Sequence, residues 1–107
     1  MNLTMIENPV VKEAINAWQQ ADKNTWLKMF TNDAKLLDDG HPRNFQKFST
    51  EAIGHEYFTS IDKVEDNGFS VFGKFHSDTW GNFKTYFKFH INGGGKIYEL
   101  EIGQANY

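Results

Sequence analysis

Apolar residues recur along this chain with two different periods, and the change comes near residue 61. Before it, Val11, Ala14, Ile15, Trp18 and Ala21 fall at three- and four-residue steps, which makes one apolar helical stripe. Asn8-Pro9 opens that helix with a capping side chain and a proline at the first helical position. Asp22 or Asn24 can cap a second, short helix in which Trp26, Leu27 and Phe30 face the core, and Thr31-Asn32-Asp33 stops it. Ala34 to Asp38 reads as a short strand entering a turn at Asp39-Gly40-His41-Pro42. Ser49 is the expected cap of a third helix carrying Ala52, Ile53, Tyr57 and Phe58.

Past residue 61 the period is two. Phe69, Val71, Gly73 and Phe75 alternate with Ser70, Phe72, Lys74 and His76. Phe83, Thr85, Phe87, Phe89 and Ile91 alternate with Lys84, Tyr86, Lys88 and His90. A last strand, Lys96 to about Gln104, sets Tyr98, Leu100, Ile102 and Gln104 inward and Glu99 and Glu101 outward. Turns at Asp66-Asn67-Gly68, Trp80-Gly81-Asn82 and Asn92-Gly93-Gly94-Gly95 make this an antiparallel meander. Helices precede strands, so the expected class is α+β with three N-terminal helices on one face of the sheet.

At 107 residues the chain is one domain, residues 1–107, with one core. Only 39% is apolar but 16% is aromatic, so a few large rings must supply most of the buried area. With no cysteine there is no disulfide, no thiolate nucleophile and no thiolate-bound zinc. A net charge of −3 gives no pull toward nucleic acid or anionic lipid, and no apolar run reaches spanning length. The start of the chain lacks the basic and apolar segments of a signal peptide, so a cytoplasmic domain is expected.

The order α-α-β-α-β-β-β-β resembles the nuclear transport factor 2-like superfamily, and within it SnoaL-like and ketosteroid-isomerase-like domains. The resemblance runs over roughly residues 9 to 104. It is carried by Ala17-Trp18-Gln19-Gln20-Ala21-Asp22, Trp26 to Ala34, Glu51-Ala52-Ile53 ahead of Tyr57-Phe58, and Asn92-Gly93-Gly94-Gly95-Lys96-Ile97. It implies a cystatin-like cone, a strongly curved antiparallel sheet wrapped around the helices with a pocket at its open end.

Asp38 falls where the isomerase-like relatives keep the carboxylate that moves a proton next to a ketone. Partial desolvation at an aromatic pocket would strengthen such a base. The competing reading is a turn residue whose carboxylate bonds nearby amides. The oxyanion donors of that chemistry are missing, because Ala14 and Phe87 stand at the matching positions. Trp18, Trp26, Phe30, Tyr57, Phe87, Tyr98, Leu100 and Gln104 are the expected pocket residues. His41, His55, His76 and His90 show no metal-ligand spacing, and neither a metal nor a cofactor is expected. Phe72, His76, Tyr86 and His90 form a row on the outer sheet face, which makes a homodimer the expected assembly. The expected function is the binding of a small apolar ligand. The alternative is an acid–base isomerase, lyase or hydrolase using Asp38.

Overall fold

The computed structural model describes residues 2–107. Its elements are α1 (Pro9–Gln19), α2 (Lys23–Lys28), β1 (Phe30–Asp38), β2 (His41–Arg43), α3 (Phe45–Ala52), β3 (Glu56–Glu65), β4 (Ser70–Ser77), β5 (Gly81–Ile91) and β6 (Ile97–Gln104). The class is α+β, three helices against one six-stranded curved sheet in the order β2-β1-β6-β5-β4-β3. Asn8 caps α1 by accepting from the N–H groups of Val10 and Val11, and Asp22 caps α2 through the N–H of Thr25.

The sheet is mixed rather than wholly antiparallel, because β1 runs parallel to β6. Parallel neighbours need a long crossover, and here everything between β1 and β6 supplies it. Phe30 opens β1, pairing with Ile97, and does not close the second helix, whose last residue is Lys28. Its ring still packs on Trp26 and Phe45, at centroid distances of 4.7 and 4.3 Å. The third helix begins earlier than Ser49, with the Asn44 carboxamide capping the N–H of Lys47. Ser49 is buried within it and accepts a hydrogen bond from the Trp26 indole at 3.0 Å.

Helix α3 also ends earlier, since Gly54 at φ +90° breaks it. Tyr57 and Phe58 therefore lie on β3 and point to opposite faces, Phe58 buried and Tyr57 exposed. Alternation along β4 and β5 holds: Val71, Phe75, Thr85, Phe87 and Phe89 are buried under the helices, and Phe72, Tyr86 and His90 face outward. In β6 the register shifts between the Ile91–Ile97 and His90–Glu99 pairs, which leaves Tyr98 as an extra residue. This bulge sends Tyr98 outward, against the His90 ring at 6.0 Å, and keeps both Ile97 and Leu100 inside.

Rings dominate the core. Trp18 meets Trp26, Phe87 and Phe48 at 4.9, 5.4 and 5.5 Å between centroids. Two further bulges in β3, between Phe58 and Ser60 and between Ile61 and Lys63, bring its backbone close to β4 at Gly73. On the outer face Tyr107 lies edge-on to Phe72, and Lys63 sits over both rings. Burial and a hydrogen bond donated to Asp62 push the Tyr107 phenol up to about 12.

Candidate functional site

A cavity of about 720 Å³ opens at one end of the sheet, between the β1–β2 hairpin, the end of α3, the β4–β5 turn and the end of β6. Phe48, Phe75, Phe83, Phe87 and Ile102 form its apolar wall. Asp38, Asp39, Arg43, Glu51 and Glu56 add charge.

Asp38 is the last residue of β1 and stands in register with Ile102 of the parallel strand β6. Residues in register share a face, so Asp38 shares the inward side of Ile102 and lines the cavity. Arg43, returned by the hairpin, donates to Asp38 Oδ2 at 2.7 Å. The turn chemistry belongs to the next residue. Asp39 at φ 49° and Gly40 at φ 83° make the two-residue turn, and Asp39 Oδ1 accepts from the N–H of Gln104.

Glu56, at the start of β3, is a cavity residue that the sequence pattern does not mark. The helical spacing of Ile53 and Tyr57 placed it inside a helix, and only Gly54 signalled the break. Ser77 faces it from β4. The Ser77 hydroxyl accepts from the N–H groups of Thr79 and Trp80, so its own proton goes to Glu56 Oε2 at 3.1 Å. Burial raises the Glu56 proton affinity above its ordinary value; the Ser77 bond and the Arg43 charge oppose this, and the Asp38 and Asp78 charges add to it.

A raised folded-state value means that the folded chain holds its proton more tightly than the unfolded chain. Stability should therefore fall as pH rises from 4.5 through the folded value. Glu56→Gln removes the charge, so in urea titrations the variant should gain on the parent between pH 4 and pH 7. A parent that gains instead would mean that Arg43 outweighs burial.

Of the expected pocket residues, Phe87 and Gln104 line the cavity. Trp18, Trp26 and Leu100 do not; they are fully buried core behind it. Phe30 borders a separate depression of about 490 Å³ with Leu27, Phe45 and Lys96. Tyr57 and Tyr98 point out of the cone, for the reasons of helix end and bulge given above. Among the described residues no tyrosine lines the cavity.

The histidines lie elsewhere. His55 and His76 share the exposed Asp78 carboxylate at 3.2 and 2.9 Å. Hydrogen bonds to Asn82 and Asp78 raise the His76 proton affinity. On the outer face His90 Nε2 reaches Glu101, and Glu99 lies 3.5 Å away. This is a convergent trio that spacing in the sequence did not reveal.

No family model and no curated protein matches this chain. Solved structures do. A canthaxanthin-binding Orange Carotenoid Protein from Anabaena (Nostoc) sp. PCC 7120 matches 91% of the chain at TM-score 0.72 and 21% identity. The chain spans only 35% of that protein's length. A candidate polyketide cyclase from Sinorhizobium meliloti matches over 94% of this chain and 99% of its own, at TM-score 0.73 and 18% identity. An NTF2-like protein of unknown function from Cytophaga hutchinsonii matches over 90% and 87%, at TM-score 0.70 and 14% identity. No helix among the described residues is long and apolar enough to cross a membrane. At these identities the likeness establishes architecture, and this chain has the cystatin-like fold of the NTF2-like proteins.

Proposed function

We propose that this domain binds a small organic molecule with an apolar ring body in the cavity beside Asp38. The observation that carries this reading is a cavity of about 720 Å³, a size typical of small-molecule sites, with Phe48, Phe75, Phe83 and Phe87 among its lining residues. The carotenoid bound by one structural neighbour and the cyclase description of another are in keeping with an occupied cone.

The test is fluorescence titration with a neutral solvatochromic dye such as Nile red. Saturable binding is expected for the parent. Gln104→Trp, which adds a ring at an exposed position of the cavity lining, should abolish it while circular dichroism stays unchanged. Equal binding by the variant would move the site elsewhere, and no saturable binding would overturn the proposal.

Acid–base turnover is the second reading, and Asp38 and Glu56 on one cavity are what favour it. It lacks a tyrosine donor for a developing oxyanion, and Arg43 already occupies one Asp38 oxygen. Asp38→Asn should cost an enzyme about 10²–10⁴ in rate.

We also place self-association on the outer sheet face. Phe72 and Tyr86 pair across β4 and β5 at 6.3 Å, and His76 and His90 extend the row. A stable interface would bury about 800 Å² per chain. Replacing Phe72 and Tyr86 by Asp should halve the mass seen by size exclusion with light scattering. A parent that is monomeric at micromolar concentration would leave the rings to their own cover, Lys63 and Tyr107.

A further inference from the structure

We infer that the cavity selects organic cations, amines carried on a ring body, over neutral or anionic molecules of the same shape. The inference rests on the cavity being a binding site and adds the charge of its ligand.

Among the described residues four carboxylates line the cavity against one guanidinium, and no lysine or histidine joins them. Two of the four are engaged. Asp38 is paired with Arg43 at 2.7 Å, and Asp39 Oδ1 is taken up by the Gln104 N–H in the hairpin. Glu51 and Glu56 have no cationic partner within salt-bridge distance among the described residues. Glu56 is the more consequential of the two. It is half-buried, and Ser77 holds one of its oxygens in place, so the carboxylate is oriented before any ligand arrives.

A carboxylate withdrawn from water favours whatever restores a positive neighbour. Solution supplies a proton, in keeping with the raised proton affinity of Glu56, and an ammonium group would do the same while keeping the carboxylate ionised. The apolar wall reinforces the choice. Phe83 and the exposed indole of Trp80 present ring systems to the same space, and ring faces attract cations; the Phe48 ring is already covered by the Arg43 guanidinium, 5.1 Å from its centroid. An anion would meet Asp39, Glu51 and Glu56, none of them paired with a cation, and a guanidinium already committed to Asp38. A neutral ring would gain only from burial.

Three probes of matched shape separate the cases: naphthylmethylamine, naphthylmethanol and naphthoic acid, titrated by calorimetry at pH 7 and low salt. The amine should bind about tenfold or more tighter than the alcohol, as expected of a charge-assisted contact plus ring attraction. The acid should bind most weakly. Glu56→Gln should cost the amine roughly fivefold or more, given the strength of charge-assisted contacts, and leave the alcohol unchanged. Glu51→Gln provides a second variant at a solvent-exposed position. Raised salt should weaken only the amine. Equal binding of amine and alcohol, or tightest binding of the acid, would overturn the inference while leaving the cavity a binding site. Failure of all three probes to bind would overturn both.

Discussion

Phe87→Ala should destabilise the domain by about 3–5 kcal/mol, the usual cost of removing a buried phenyl ring. The residue lines the cavity, yet it is only 1% exposed, because other rings enclose it. Trp18, Phe58 and Phe75 stand 5.4, 5.0 and 5.7 Å away between centroids. Truncation therefore loses transfer energy and also leaves a void that Trp18, locked between Trp26 and Phe48, cannot close. Urea unfolding measures the effect directly, and a loss below about 1 kcal/mol would be out of line with a buried ring. Stability and binding then draw on the same side chain. Any substitution that reshapes this wall for a new ligand will be felt in the fold.

The second large effect is expected from one methyl group. A Cβ at Gly73 would lie 2.0 Å from the carbonyl oxygen of Ser60 and 3.0 Å from the Phe58 ring. The obstacle is backbone, which cannot rotate aside, so β3 and β4 would have to separate where the bulges draw them together. Gly73→Ala should cost about 1–3 kcal/mol or more, the range for overpacking. Gly93→Ala, in the β5–β6 turn with nothing within 4 Å, is the control and should stay within about 0.5 kcal/mol. Equal behaviour of the two variants would mean that β3 can relax its bulge freely.

Positions that obey a period were legible in the sequence. Phe75, Phe87 and Phe89 were placed inside, and Phe72, Tyr86 and His90 outside, by alternation alone. The pattern misleads where the period breaks. Alternation points Tyr98 inward, but a bulge inserts one residue there without leaving a compositional mark. Ile53 and Tyr57 stand four apart, a helical spacing, but Gly54 between them outweighs it. Polar residues from Thr31 to Asp33 resemble a helix stop, whereas Phe30 pairs with Ile97 and β1 runs on through an irregular stretch to the regular pairing at Lys35. Asp38 came from the resemblance. Glu56 had no signal of its own, since its role depends on Ser77, twenty-one residues away and adjacent only in the folded sheet.

The bulges of β3 have one more consequence, for how this molecule meets its neighbours in a crowded solution. Strand order leaves β2 and β3 as the two open edges of the sheet. An open edge is a template on which another chain can add as a further strand. Here β2 is three residues long and contains Pro42, which has no N–H to offer. On the other side β3 is ten residues long, but it is interrupted twice and carries Asp62, Lys63 and Glu65 near its end. Neither edge presents a flat, continuous ladder, so strand-by-strand growth into filaments is blocked at both ends. The close approach at Gly73 helps hold one of those interruptions in shape, and Gly73→Ala should therefore raise fibril formation as well as lower stability.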